Sequence, residues 1–327
     1  MVAAGEFNAG SLLLAPLAAQ IGLPIDQLNF LACQITALFL SYPFRRLLHP
    51  ATVGPVLRHA VSTLVGLSLA YFCFGYQVLH LFALSSISYA CMRFLAPSVS
   101  NRVVLVFALS YLSIVHLYRM YYDYGGYTLD VTGPLMIMVQ KVTALAYSLH
   151  DGTEPDDKLT DDQREQRCVE LPSLLEFYSY MFYFHGIMVG PLCFYADYKR
   201  FVEGKNYRKD PTTGVWMDVV TPREETPSPL FPFLQKLVYT GLCAYVMMVI
   251  IPQQGSEMLI DPQWIASHGF FYRVWIMVKN IGWIRGKYYF AWVLADLINN
   301  CAGGFLDIVC RFVIVCLSSS VCHCLSF

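Results

Sequence analysis

Charge is scarce in this chain. Only 14% of its 327 residues are charged, whereas 56% are hydrophobic; a soluble domain carries about 25% charged residues. With a mean hydropathy of +0.48, that scarcity excludes an ordinary soluble globular protein and makes a multi-pass membrane protein the economical reading. Basic patches are lacking too. The net charge is −1, and no Lys/Arg stripe of a nucleic-acid binder is present. Met1 to Ala19 contains no Lys or Arg, so there is no n-region for a cleaved signal peptide, and insertion is expected to rest on the first spans. Disulfide spacing is missing: Cys33, Cys73, Cys91, Cys168, Cys193 and Cys243 are scattered singly, mostly in apolar runs where a free thiol acts as a small hydrophobe.

Familiar catalytic signatures are absent as well. There is no H-E-x-x-H and no G-x-S-x-G. Gly282-Trp283-Ile284-Arg285-Gly286-Lys287 has one residue too few between its glycines for a phosphate loop, and Tyr288 stands where Ser or Thr is needed. No internal repeat or charged relay is visible, which disfavours a transporter.

What is present is a series of apolar runs bounded by charge or Pro, at 25–42, 59–76, 77–95, 102–121, 132–149, 173–195, 231–251, 265–283 and 288–303. Several fall near or below the roughly 20 residues that cross a bilayer. The runs 132–149, carrying Lys141, and 288–303, carrying Asp296, read as re-entrant or buried helices, since irregular pieces at membrane depth need protein or a water-filled cavity to cover them. The expected fold is all-α, a multi-pass transmembrane bundle of about eight or nine membrane segments including re-entrant helices. Residues 1–23 form an N-terminal segment, 24–304 one membrane domain and 305–327 an apolar Cys/Ser tail. Arg45, Arg46 and Arg58 place the first loop on the cytoplasmic side by the positive-inside rule, and Tyr118, Tyr121 and Tyr122 suit an interfacial belt.

Two stretches carry helix-start chemistry. Thr160 followed by Gln163 is a capping box that predicts a short surface helix over Asp161–Glu170. Pro172-Ser173-Leu174-Leu175-Glu176 opens an aromatic helix, Phe177–Phe184, where the helix dipole favours an acid in the first turn. Glu176 would then sit at the interface, or face a polar cavity if it lies deeper. Beyond it, Gly186 and Gly190 form a G-x-x-x-G, the spacing that lets membrane helices approach closely. His185 is the sharpest candidate base on chemistry alone, because imidazole titrates near neutrality, although a lone membrane histidine is more often structural. His116 and His268 are weaker candidates. The loop 204–229 is rich in Pro and Thr and is expected to be flexible.

The stretch Lys287–Gly304, KYYFAWVLADLINNCAGG, sets Lys287, Asp296, Asn299 and Asn300 in an aromatic, apolar run. Buried polar groups of that kind are costly unless something needs them. After it the composition turns abruptly to Cys, Val and Ser. Cys310, Cys316, Cys322 and Cys324 have poor metal spacing: steps of six place them in different helical directions, and Cys322-His323-Cys324 lacks the two-residue gap of a zinc pair. The terminal Cys-Leu-Ser-Phe is a weak prenylation box with no polybasic stretch before it. Neither a metal site nor a bound cofactor is expected.

Taken in order, Pro24–Phe30, Phe72-Cys73-Phe74-Gly75, Gly133-Pro134-Leu135-Met136 with Gln140-Lys141, and His150-Asp151-Gly152 resemble the membrane-bound O-acyltransferases in their lysophospholipid acyltransferase branch. Pro172–Glu176, Gly190-Pro191, Asp197-Tyr198, Phe201–Gly204 and the 287–303 block continue the resemblance. It implies acyl transfer from acyl-CoA, a co-substrate, to the hydroxyl of a lysophospholipid such as lysophosphatidylethanolamine, with oleoyl-CoA a frequent donor. The implied location is the endoplasmic reticulum membrane and the implied role is phospholipid remodelling. Such chemistry needs a base and an oxyanion donor, which the family supplies with a His in Trp-His-Gly and an Asn in Asn-Trp-Asn. This sequence contains neither motif. The chain is therefore expected to lack catalytic residues and activity, as a truncated form arising by splicing or read-through. The alternative is a non-enzymatic isoform that binds or regulates the full-length enzyme. Glu176, Tyr288, Tyr289, Trp292, Asp296, Asn299 and Asn300 are expected to line or brace the substrate tunnel. The tail could enter a bilayer, although Arg311 would cost roughly 2.5–3.5 kcal/mol there, and an unstable product is expected.

Overall fold

The computed structural model describes residues 9–50, 52–124, 128–190, 192–205, 207–209, 216–218, 230–250 and 259–303. The tail 305–327, with its cysteines, Arg311 and terminal box, lies outside the described residues. The chain divides into two compact units, 1–226 with 301–304, and 227–300 with 305–327.

The first unit begins with α1 (Ala15–Ile21) and α2 (Ile25–Leu47), bent by 105° at the break between them. Pro24 starts α2, Asp26 lies in its first turn and Arg45 and Arg46 in its last, each sign where the helix dipole favours it. There follow α3 (Pro55–Phe74), a 3₁₀ turn Gly75–Gln77, α4 (Val78–Phe94), α5 (Pro97–Tyr122) and α6 (Thr132–Asp151). Pro stands in the first turn of α3 and of α5, where its missing N–H costs no hydrogen bond. The last helices of the unit are α7 (Asp161–Gln166), α8 (Leu174–Phe182) and α9 (Tyr195–Glu203).

Two helical stretches, Pro55–Phe94 and Pro97–Tyr122, are long and apolar enough to cross a membrane, and a third if α1 and α2 count as one span. Among the described residues these are the stretches that meet that test, fewer than the eight or nine segments expected from sequence. Pro55–Phe94 is not one rod. Gly75 has φ 54°, a backbone state that disfavours other residues, and the contacts on either side of it run in opposite directions. Along α3, the His59 ring lies 6.0 Å from Tyr198, in the segment that returns beside the start of α8, and a Cβ on Gly66 would overlap the carbonyl of Phe182. Along α4, Phe82 stacks on Phe182 at 4.7 Å, whereas Tyr89 packs on Phe177 at 4.8 Å and donates to the Pro172 carbonyl at 2.9 Å. The two arms are antiparallel and α8 is wedged between them.

The run 173–195 does not continue as one apolar helix. After Phe182 the chain turns through 183–190 and comes back extended at 192–194. The Tyr180 hydroxyl donates to the Cys193 carbonyl at 2.6 Å, and Lys199 reaches Glu176, so α9 lies level with the start of α8. This hairpin enters the bundle and returns to the end it came from. Gly186 and Gly190 therefore do not bring two helices together: both lie in the turn, where Gly190 N–H donates to the Gly186 carbonyl at 3.1 Å. Gly66, which belongs to no G-x-x-x-G spacing, makes the close backbone contact. By contrast α6 is one continuous helix, buried along Leu135, Met138, Val142 and Leu145, and Gly286–Cys301 is likewise one helix without a break. The buried half of the expectation for these two runs holds, and the re-entrant geometry falls on 174–194 instead.

The other end of this unit is held by polar groups. Arg119 donates to Asp130 at 2.7 Å, and Asp26 accepts from the Leu129 N–H at 2.6 Å, tying α2, α5 and α6 together. Only Ser100, Asn101, Val104 and Ala108 of α5 are buried; the rest of its apolar surface suits lipid. The capping box at Thr160 and Gln163 is present, and its helix ends at Gln166, sooner than the expected Glu170. Residues 207–209 pair antiparallel with 216–218, Tyr207 opposite Asp218. This small hairpin modifies the all-α expectation and the flexible-loop reading of 204–229.

The second unit contains α10 (Leu230–Tyr245) with a π-turn at Val246–Ile250, α11 (Pro262–Ser267), α12 (Phe270–Ile284) and α13 (Gly286–Cys301).

Candidate functional site

In the second unit the polar residues of α13 meet a partner on α10. Lys236 Nζ lies 2.6 Å from Asp296 Oδ2, and each side chain is only 4% exposed. One turn on, buried Thr240 donates to the Lys236 carbonyl at 2.8 Å. Tyr289, Val293 and Asp296 recur at i, i+4 and i+7, so they share one face of α13. Val293 is buried there with Tyr239, Tyr289 and Trp292 against it. An apolar contact thus shields the pair from water. Ions held in that way are screened little, and each would be expensive to bury alone.

The other candidates of this block are distributed unevenly. Asn299 is buried and its amide donates to the Ala295 carbonyl at 2.9 Å. Asn300 is half-buried, and Tyr288 is 51% exposed, on the outer side of α13. Sequence reasoning missed Lys236. Its signal was a lysine inside the apolar run 231–251, the kind of intramembrane charge that calls for a named partner. It also missed Asn280 on α12, buried with neither amide atom hydrogen-bonded among the described residues.

Glu176 belongs to the first unit, in the first turn of α8. Its Oε2 accepts from the N–H of Ser173 at 2.8 Å and from the hydroxyl at 2.7 Å, and its own N–H donates to the Ser173 hydroxyl, completing a capping box. Burial pushes the Glu176 carboxyl up, but the Ser173 hydrogen bonds and the Lys199 ammonium outweigh it, and the group lies below its ordinary value. Burial pushes the Cys168 thiol up, so it is a poor nucleophile.

At the far end of α8, Lys141 of α6 donates to the carbonyls of Tyr180 at 3.2 Å and Met181 at 3.4 Å. Its ammonium lies 4.0 Å from the centre of the Tyr183 ring. A helix that stops inside the bundle leaves carbonyls without partners, and a cation there complements the dipole. Lys141 is the cap of this hairpin. His185 follows in the turn, its ring 3.9 Å from Phe184, 5.0 Å from Phe44 and 5.8 Å from Phe201. Arg58 lies over Phe44 and Phe201, at 5.3 and 5.1 Å. Enclosed in that way, His185 is a packing element rather than an accessible base. His116 is exposed and His268 stacks on Trp264 at 4.5 Å.

Long apolar helices, an exposed apolar face on α5 and charges buried in pairs or against carbonyls define a helical membrane protein. The sequence model described as "MBOAT, membrane-bound O-acyltransferase family" matches residues 116–309, and the chain belongs to that family. It is similar to lysophospholipid acyltransferase 6 of Drosophila melanogaster, 42% identical over 297 residues, which are 90% of this chain and 41% of that protein. It is also similar to membrane-bound glycerophospholipid O-acyltransferase 2 of Homo sapiens, 40% identical over 298 residues, 90% of this chain and 57% of the relative. Lysophospholipid acyltransferase 2 of Arabidopsis thaliana is 26% identical over 291 residues, 86% of this chain and 57% of that protein. The chain spans about half the length of the curated relatives it matches.

Proposed function

We propose that this chain contributes the substrate-binding part of a lysophospholipid O-acyltransferase, in which an acyl group passes from acyl-CoA to a lysophospholipid hydroxyl in the endoplasmic reticulum membrane. The observation that carries this reading is the 42% identity, across nine-tenths of the chain, with a protein named for that activity. The polar face of α10 and α13 supports it. Lys236, Asp296 and Asn299 set charge and hydrogen-bonding groups inside an apolar helix pair, which a tunnel for amphiphilic substrates requires. Tyr289 and Trp292 would brace that tunnel, with Asn300 and Tyr288 at its margin.

Acyl transfer needs a base for the hydroxyl proton. The enclosed His185 does not offer one, and Asp296 is held by Lys236. The 327-residue polypeptide on its own is therefore proposed to bind substrates without turning them over. Purified in detergent, it is expected to retain radiolabelled oleoyl-CoA or lysophosphatidylethanolamine saturably and to release no phosphatidylethanolamine. Product above a vector control would overturn the inactivity, and binding of neither ligand would overturn the substrate reading. The alternative, a partner of the full-length enzyme, is separated from it by co-purification: recovery of the two chains together supports the partner role.

A further inference from the structure

Cys33 of α2 and Cys73 of α3 meet inside the first unit. The Cys33 thiol donates to the Leu69 carbonyl at 3.5 Å. In an α-helix that carbonyl is also the acceptor for the Cys73 N–H, four residues on. Cβ atoms tilt toward the start of their helix, so the Cys73 side chain leans back over the same turn. The two thiols are hydrogen-bonded to each other there. Both are free thiols, and each residue is 2% exposed. Ala37, one turn from Cys33, and Ala70, one turn from Cys73, are wholly buried. Side chains that small let two helix backbones approach as closely as a disulfide needs.

The pair lies toward one end of these helices. Cys73 is the last residue but one of α3, just before the Gly75 turn, whereas Arg58 stands in the first turn of the same helix. At 1.5 Å per residue, about 22 Å of helix separates the two. Segment 9–11 ties α2 to α3 beside the thiols. The Ser11 N–H donates to the Phe72 carbonyl at 2.9 Å, and Asn29, one turn before Cys33, donates to the Ser11 carbonyl at 2.8 Å. A Cβ on Gly75 would overlap the Ala9 carbonyl.

We propose that Cys33 and Cys73 are a dithiol–disulfide pair that links α2 to α3 covalently when the compartment outside the cytoplasm is oxidising. By the positive-inside rule, Arg45, Arg46 and Arg58 put their end of α2 and α3 at the cytoplasm. The Gly75 turn then faces the lumen of the endoplasmic reticulum, where disulfides persist. One cysteine thiolate attacks a disulfide of glutathione or of a protein, whose S–S bond breaks and whose first half leaves as a thiol. The second cysteine displaces the other half, and the Cys33–Cys73 bond forms. Two electrons and two protons pass to the donor, which ends as two thiols. Segment 9–11 loosens to admit it. The inference goes beyond acyl transfer: none of its residues belongs to the proposed tunnel, and it holds whether or not the chain binds acyl-CoA.

In the test, the full chain in detergent is equilibrated with oxidised glutathione, its remaining thiols are alkylated, and its peptides are mapped without reduction. A peptide pair joined through Cys33 and Cys73 is expected, and dithiothreitol should return it to two alkylatable thiols. The oxidised chain should melt several degrees above the reduced one, because the link constrains the unfolded state. Cys73→Ala should abolish that difference. Asn29→Ala, which removes a tie on segment 9–11, is expected to form the link severalfold faster, since exchange depends on access. That variant separates a shielded pair from an unreactive one. Absence of the link in the parent and in Asn29→Ala alike overturns the proposal and leaves two packed small hydrophobes. A glutathione adduct on either cysteine without the joined peptide overturns it as well. Membranes alkylated before solubilisation are expected to yield the joined peptide too; two alkylated thiols there would overturn the lumenal assignment.

Discussion

Lys236 and Asp296 form an ion pair 2.6 Å long between α10 and α13, with both side chains withdrawn from solvent. Removing one partner takes from the other its close opposite charge in a buried setting, which costs roughly 3–5 kcal/mol. Asp296→Ala and Lys236→Ala are each expected to destabilise the protein by that order. The double substitution to Leu and Met should recover much of the loss, because a hydrophobic pair has no desolvation penalty. Detergent-solubilised melting curves of the singles and the double check this. Additive losses in the double variant would exclude the pairing.

Lys141 caps the hairpin from inside the bundle. Lys141→Met would leave the carbonyls of Tyr180 and Met181 without that donor, at about 1–3 kcal/mol for a buried group left unsatisfied. The turn should then open more often and expose Cys193, now 5% exposed. Alkylation with N-ethylmaleimide followed by peptide mapping is expected to label Cys193 in the variant severalfold faster than in the parent chain. Unchanged labelling would exclude the capping role.

Gly66 and Gly133 make a matched pair of probes. A methyl at 66 would meet the Phe182 backbone, whereas a methyl at 133 meets nothing. Gly66→Ala is expected to cost about 1–3 kcal/mol or more, as overpacking does. Gly133→Ala, inside α6, should stabilise by about 0.5–1 kcal/mol through the lost freedom of the unfolded chain. Melting temperatures moving in opposite directions are the expected outcome.

Glu176 introduces a pH dependence. Its carboxyl lies below its ordinary value in the folded chain, so the folded form binds that proton less readily than the unfolded form. Its contribution is present at neutral pH and is lost as pH falls through the folded value, on the acid side of the usual glutamate value of about 4.3. Glu176→Gln should flatten that limb of the stability profile by removing the neutral-pH contribution while leaving stability in acid nearly unchanged, and melts across that range measure it.

Much of the fold was legible because hydrophobic periodicity and Pro positions act locally. The runs 59–76 and 102–121 overlap most of α3 and α5, although those helices begin earlier, at Pro55 and Pro97, and the Ser173–Glu176 box could be read from four consecutive residues. The hairpin was not legible. The run 173–195 is apolar throughout, and nothing local says that it must stop at Phe182 when the donor that lets it stop is Lys141, 39 residues before Tyr180. Lys236 was hidden for the same reason, since its partner lies far along the chain.

The sequence by itself determined a helical membrane protein of the O-acyltransferase type, since apolar composition and ordered short motifs are properties of the chain alone. Which glycine makes the close contact, which run turns back, and whether a buried lysine pairs with a carboxylate or caps a helix were decided only by the tertiary structure. Each depends on groups distant in sequence meeting where water cannot substitute for either of them.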